Sequence, residues 1–143
     1  MSILNFTTKI DPKKTVGEIQ ELLGERGACS VSTRYEGGEP VGVYFALDVR
    51  GTMINFQLPS NWAGVLEVMK RDKKISRSAC TTEQAKRTGW RIVKNWVQAQ
   101  LAVIDSGQAS MAEVFLPYAL VSTGNTLYQQ LENRPQALLD WKN

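Results

Sequence analysis

The chain predicts an α+β fold: a three- or four-stranded, mostly antiparallel sheet covered by one long helix, in the order β-α-β-β-β-α-α with short C-terminal helices. Two patterns carry this expectation. From Ala28 to Leu58 apolar residues alternate with polar ones at a period of two, and from Thr82 to Ser106 they recur at helical spacing over half the circumference. A third observation, 43% apolar residues in a chain of 143, bounds it to a single domain able to bury a core. That domain is expected over 1–132, with 133–143 as a tail that docks back or meets a partner through Leu138, Leu139 and Trp141.

Leu4, Phe6, Thr8 and Ile10 alternate with polar neighbours and predict a first strand. Asp11-Pro12 turns the chain, and Thr15 followed by Glu18 reads as a capping box opening a helix with the stripe Val16, Ile19, Leu22 and Leu23. Cys29, Val31, Thr33 and Tyr35 then share one strand face. Val41, Val43, Phe45, Leu47 and Val49 share the next, and Ile54, Phe56 and Leu58 the third. Glu36-Gly37-Gly38-Glu39-Pro40 and Arg50-Gly51 join them as hairpin turns, which predicts an antiparallel meander with one face in water. Pro59-Ser60 ends the sheet and caps a helix carrying Trp62, Val65, Leu66 and Met69, after which the basic stretch Lys70 to Arg77 continues as a loop.

The long helix is bounded by Thr81 with Gln84, a capping-box spacing, and by Gly107 beyond its end. On a wheel, Ala85, Gly89, Trp90, Ile92, Val93, Trp96, Val97, Leu101, Val103 and Ile104 form the arc to be buried. Gln100 sits inside that arc and needs hydrogen bonds. Arg87, Arg91, Lys94, Gln98 and Asp105 fall on the opposite stripe. Thr88, Asn95, Ala99, Ala102 and Ser106 form a small-residue edge on which a second copy, or the chain's own C-terminal segment, can approach closely; a homodimer is expected. Ser110 with Glu113 opens a further short helix that Pro117 breaks, and another is expected around Thr126 to Glu132.

Net charge is +3, but residues 70–94 hold nine Lys/Arg against Asp72 and Glu83, a local +7, while 1–69 and 95–143 each sum to −2. Lys70, Arg71, Lys73, Lys74 and Arg77, followed by Arg87, Arg91 and Lys94 on one helix stripe, are therefore the expected binding residues. Such an array suits a phosphate backbone or an acidic protein surface; a solvated helix face with a flexible loop is the plain alternative.

The chain has no histidine, which removes Ser-His-Asp triads and histidine metal sites. Cys29 and Cys80 are far apart and without metal-type spacing, which predicts reduced thiols of a cytoplasmic protein, Cys29 buried on its strand face and Cys80 a bystander among Arg77, Lys86 and Arg87. Glu36 and Glu39 read as solvated hairpin acids, and Gly37-Gly38 precede no helix, so they form no phosphate loop. Tryptophans can stack on bases or a ligand ring, but Trp62, Trp90 and Trp96 fall on apolar helix faces and are expected in the core. The expectation is of a non-enzyme without cofactor or metal. The polar N-terminal residues and the lack of an 18-residue apolar run predict a soluble protein with no secretory signal and no membrane partner.

The segment RTGWRIVKNWVQAQLAVIDSG (Arg87 to Gly107), with Glu113-Val114-Phe115-Leu116-Pro117-Tyr118 and the hairpin Tyr35 to Pro40, resembles a group of small uncharacterised proteins encoded by bacteriophages, prophages and mobile elements. The resemblance spans about Thr15 to Leu131. It implies a setting, an accessory protein in a bacterial host cytoplasm, and assigns no site residues. The expected function is thus a non-enzymatic accessory protein that contacts nucleic acid through the basic loop and helix face. The alternative is a module that engages or inhibits a host protein.

Overall fold

The computed structural model describes the backbone of residues 2–140 and the side chains of 2–137. The expected tail contacts of Leu138, Leu139 and Trp141 lie outside the described residues. The architecture is α+β: α1 (Pro12–Glu25), three strands β1 (Ser30–Glu36), β2 (Glu39–Val49) and β3 (Thr52–Gln57), then α2 (Trp62–Arg71), α3 (Thr82–Asp105), α4 (Met111–Phe115) and α5 (Leu127–Glu132). Short 3-10 turns at Arg77–Ala79, Leu116–Tyr118 and Pro135–Asp140 complete it.

The strands form an antiparallel sheet in the order β1-β2-β3. Gly37 and Gly38 both adopt positive φ, as the two-residue β1-β2 turn requires. Arg50 and Gly51 do the same between β2 and β3, where the Asp48 carboxylate accepts the Gly51 N–H at 2.7 Å. Val31, Phe45 and Phe56 stand in register across the sheet. Phe45 and Phe56 stack with ring centroids 4.9 Å apart, and Phe115 meets Phe45 edge-on at 5.3 Å. Around them Val16, Ile19 and Leu23 of α1 and Trp90, Val97 and Leu101 of α3 close one core. Two helices therefore cover the sheet, not one. They pack against each other as well as against the strands.

Several expectations need correction. The first strand does not form: residues 4–7 turn, Asn5 has φ 62°, and the carbonyls of Phe6 and Thr8 both accept from the Gln84 side chain at 2.8 Å. A helix amide satisfies what a neighbouring strand would have satisfied, so alternation there produced a packed arm, with Ile3 and Phe6 against Met69, Ile75 and Ala85. The extra edge pairing comes instead from the other end of the chain, where Ala119 bridges Phe56 and the Leu120 N–H donates to the Asn55 carbonyl. α1 starts one turn earlier than Thr15, with Asp11 as N-cap and Pro12 in the first turn. Thr15 is buried and Glu18 faces α3. Asn61, one residue after Ser60, caps α2. Cys29 is exposed, just before β1 begins, and a register shift between Arg34 and Tyr35 leaves Tyr35 exposed as well.

The capping boxes at Ser110/Glu113 and Thr126/Gln129 form in full, and Thr81 caps α3 by accepting the Gln84 N–H. α3, 24 residues or about 36 Å long, is the longest element. No helix among the described residues is long and apolar enough to cross a membrane.

Candidate nucleic-acid interface and aromatic cleft

The eight expected cations separate into two sets. Lys70 and Arg71 form the last turn of α2, and Lys73, Lys74 and Arg77 follow in the connection to α3; all five are exposed. The connection is held, not loose. Ile75 in its middle is only 7% exposed and packs with Met69 and Ala85, while the Asp72 carboxylate accepts the Lys74 N–H at 2.9 Å. That bond, first of all, holds the Asp72 carboxyl below its ordinary range. Among the described residues none of these five cations enters an ion pair, and Asp72 is the only acid between Lys70 and Arg77. Such a cluster keeps its field directed outward.

The helix stripe behaves differently. Arg91 donates to the Glu18 carboxylate at 3.0 Å and to the Thr15 hydroxyl at 3.4 Å, and Lys94 pairs with the same carboxylate. The side chains of Arg91 and Lys94 are only 16% and 15% exposed, so they join α1 to α3 and are withdrawn from the candidate surface. A wheel cannot show this, because it treats a charged stripe as facing water when a neighbouring helix supplies the counter-charge. Lys94, and after it Arg91, hold the Glu18 carboxyl below its ordinary range against a desolvation effect that pushes it up. Arg87 is half-buried and donates twice to the Gln84 side-chain oxygen, at 3.1 and 2.7 Å. It still reaches the basic segment. Lys74, Ser76, Thr81, Gln84 and Arg87 line one crevice of about 560 Å³ beside Phe6.

Thr88 leaves the small-residue edge too. It is fully buried and donates to the Asn5 carbonyl at 3.1 Å, so Asn95, Ala99, Ala102 and Ser106 alone remain exposed. Gln100 is half-buried, and Cys80 donates weakly to the Ser76 carbonyl. Among the described residues no three Cys, Asp or Glu side chains converge in a metal-binding group.

A second concavity gathers three tryptophans that the sequence places in the core. A cleft of about 550 Å³ opens between the β1-β2 hairpin, the start of α2 and the middle of α3, with Tyr118 at its edge. Trp62, Trp90 and Trp96 all line it, and Trp62 is 39% exposed where a core position was expected. Lys86 explains its orientation: the Nζ lies 5.3 Å from the Trp62 ring centroid and 2.7 Å from the Glu39 carboxylate. Trp96 meets Phe115 and Tyr118 edge-on, at 5.6 and 5.3 Å. These partners are remote in sequence, and each tryptophan sits at a spacing that equally suits a core. Only the approach of α2 to α3 separates the two outcomes. Set beside protein-family models, curated proteins and solved structures, the chain matches none of them.

Proposed function

We propose that the protein is a non-enzymatic accessory factor that contacts nucleic acid through the surface formed by Lys70, Arg71, Lys73, Lys74 and Arg77, with Arg87 at its edge. One observation carries the reading: these five exposed cations lie within eight residues, on a connection anchored by Ile75, and engage no carboxylate in an ion pair among the described residues. Arg26, Arg34, Lys86, Arg91 and Lys94, by contrast, are all paired. Unpaired, positioned cations suit phosphates, whose neutralisation releases counterions. The setting in a bacterial cytoplasm, with a phage, prophage or mobile element as source, rests only on the resemblance carried by Arg87 to Gly107, Glu113 to Tyr118 and the Tyr35 to Pro40 hairpin. A homodimer through the exposed remainder of the α3 edge belongs to the same proposal.

The test is a salt series on generic duplex DNA. Contact with about four phosphates gives a slope of log affinity against log salt near −3.6. Changing Lys70, Arg71, Lys73, Lys74 and Arg77 together to glutamine flattens that slope. Changing Arg91 and Lys94 does not, since Glu18 already neutralises them. Absence of binding to DNA and RNA at low salt overturns the proposal in favour of an acidic protein partner.

A further inference from the structure

α2 runs from the aromatic cleft to the basic surface. Trp62 and Val65, with the N-cap Asn61, line the cleft, and Lys70 and Arg71 begin the basic surface at the other end. The helix is about 15 Å long, a span of a few nucleotides, so a strand whose phosphates lie on the basic surface has neighbouring nucleotides within reach of the cleft.

The chemistry of the cleft selects which part of a nucleotide enters it. Its rim charges are matched, Lys86 by Glu39 and Glu36 by Arg34, so it offers no net positive charge to a phosphate. Its walls are aromatic and its size lies within the roughly 300–1,000 Å³ of small-molecule sites. Trp90 lines the cleft as well, although 95% of its surface is buried. A nucleobase is flat, uncharged, and edged with carbonyl and ring-nitrogen acceptors.

The geometry points to single-stranded nucleic acid as the ligand, its phosphates on Lys70 to Arg77 and an unstacked base in the cleft against Trp62 and Trp90. Base-on-aromatic stacking beside a basic track is the physics of sequence-tolerant single-strand binding, and a duplex, whose bases are stacked within, reaches only the track. This inference rests on the nucleic-acid reading above and adds the strand state and the base site.

The test uses the full chain with a 20-nucleotide oligothymidylate, an abasic strand of equal length and a 20-base-pair duplex, followed by fluorescence anisotropy. The base-bearing strand binds roughly tenfold tighter than the abasic one, the effect of a single aromatic stack, and quenches tryptophan emission that the abasic strand leaves unchanged. Trp62→Ala brings the two strands within twofold of each other and leaves duplex affinity as it was, while Trp62→Phe restores most of the preference. The quenching measurement on the unaltered protein keeps the test decisive even if Trp62→Ala fails to fold. Equal affinity for abasic and base-bearing strands without quenching overturns the inference, assigns the cleft to a neutral peptide or small molecule, and leaves the proposed function standing. No binding to any of the three at low salt overturns both.

Discussion

Glu18 shows how one side chain reassigns others. Its carboxylate takes Lys94 and Arg91 together, at 28% side-chain exposure, and so turns two cations expected in a binding site into a strap between α1 and α3. Nothing in the spacing of Thr15 and Glu18 distinguishes this from a capping box; Asp11, one turn earlier, already caps the helix and frees Glu18 for another role. Glu18→Gln is expected to cost about 1 kcal/mol at neutral pH, the upper end for partly exposed pairs. The sign of its pH dependence follows from the depressed carboxyl. The contribution is fully present above the unfolded value of about 4.3 and disappears as pH falls through the lower folded value. Denaturant midpoints of the two proteins should therefore differ at pH 7 and converge as pH falls through the lowered value of the Glu18 carboxyl. A constant difference across that range would show that the loss comes from packing, not charge. Changing Arg91 and Lys94 together to glutamine should lower the midpoint by a similar amount and leave DNA affinity within twofold.

At the scale of elements, periodicity located the meander, α2 and α3, because each of these hides one face against a partner and the hidden face is written in the sequence. It failed at Leu4 to Ile10, where the same alternation became an arm, since the deciding hydrogen bonds come from Gln84, far along the chain. The candidate site was half legible. Lys70 to Arg77 stands out as a charge run, whereas the cleft depends on where Trp62 and Lys86 come to lie relative to Trp90, Trp96 and Tyr118, which no local pattern encodes. Helix interiors also hold slack. Gly17 lies within α1, and a Cβ built there meets nothing within 4 Å, so Gly17→Ala should stabilise the fold by about 0.5–1 kcal/mol, read as a higher denaturant midpoint with unchanged m. Phe115 is the opposite case. Fully buried between Phe45 and Trp96, it ties the segment after α3 to the sheet, and Phe115→Ala should cost about 3–5 kcal/mol, enough to remove most of the cooperative unfolding transition.

On the whole molecule the charges sort by use. Arg26, Arg34, Lys86, Arg91 and Lys94 are matched by carboxylates and the densest run of unmatched cations stands at the end of α2, while the exposed part of the α3 edge, Asn95, Ala99, Ala102 and Ser106, carries no charge at all. The two proposed interactions should therefore respond differently to salt. The proposed binding of nucleic acid should weaken as salt rises, because counterions are released. Association of two copies along an uncharged seam of small side chains depends on close backbone approach and apolar burial, which salt leaves nearly untouched. Light scattering at tens of micromolar should accordingly give twice the chain mass of 16.0 kDa at both low and high salt. Placing glutamate at Ala99 and Ala102 should return the monomer without loss of folded stability, since both positions face solvent within one copy. A particle of 16.0 kDa from the unaltered protein would discard the dimer and leave the seam as ordinary helix surface.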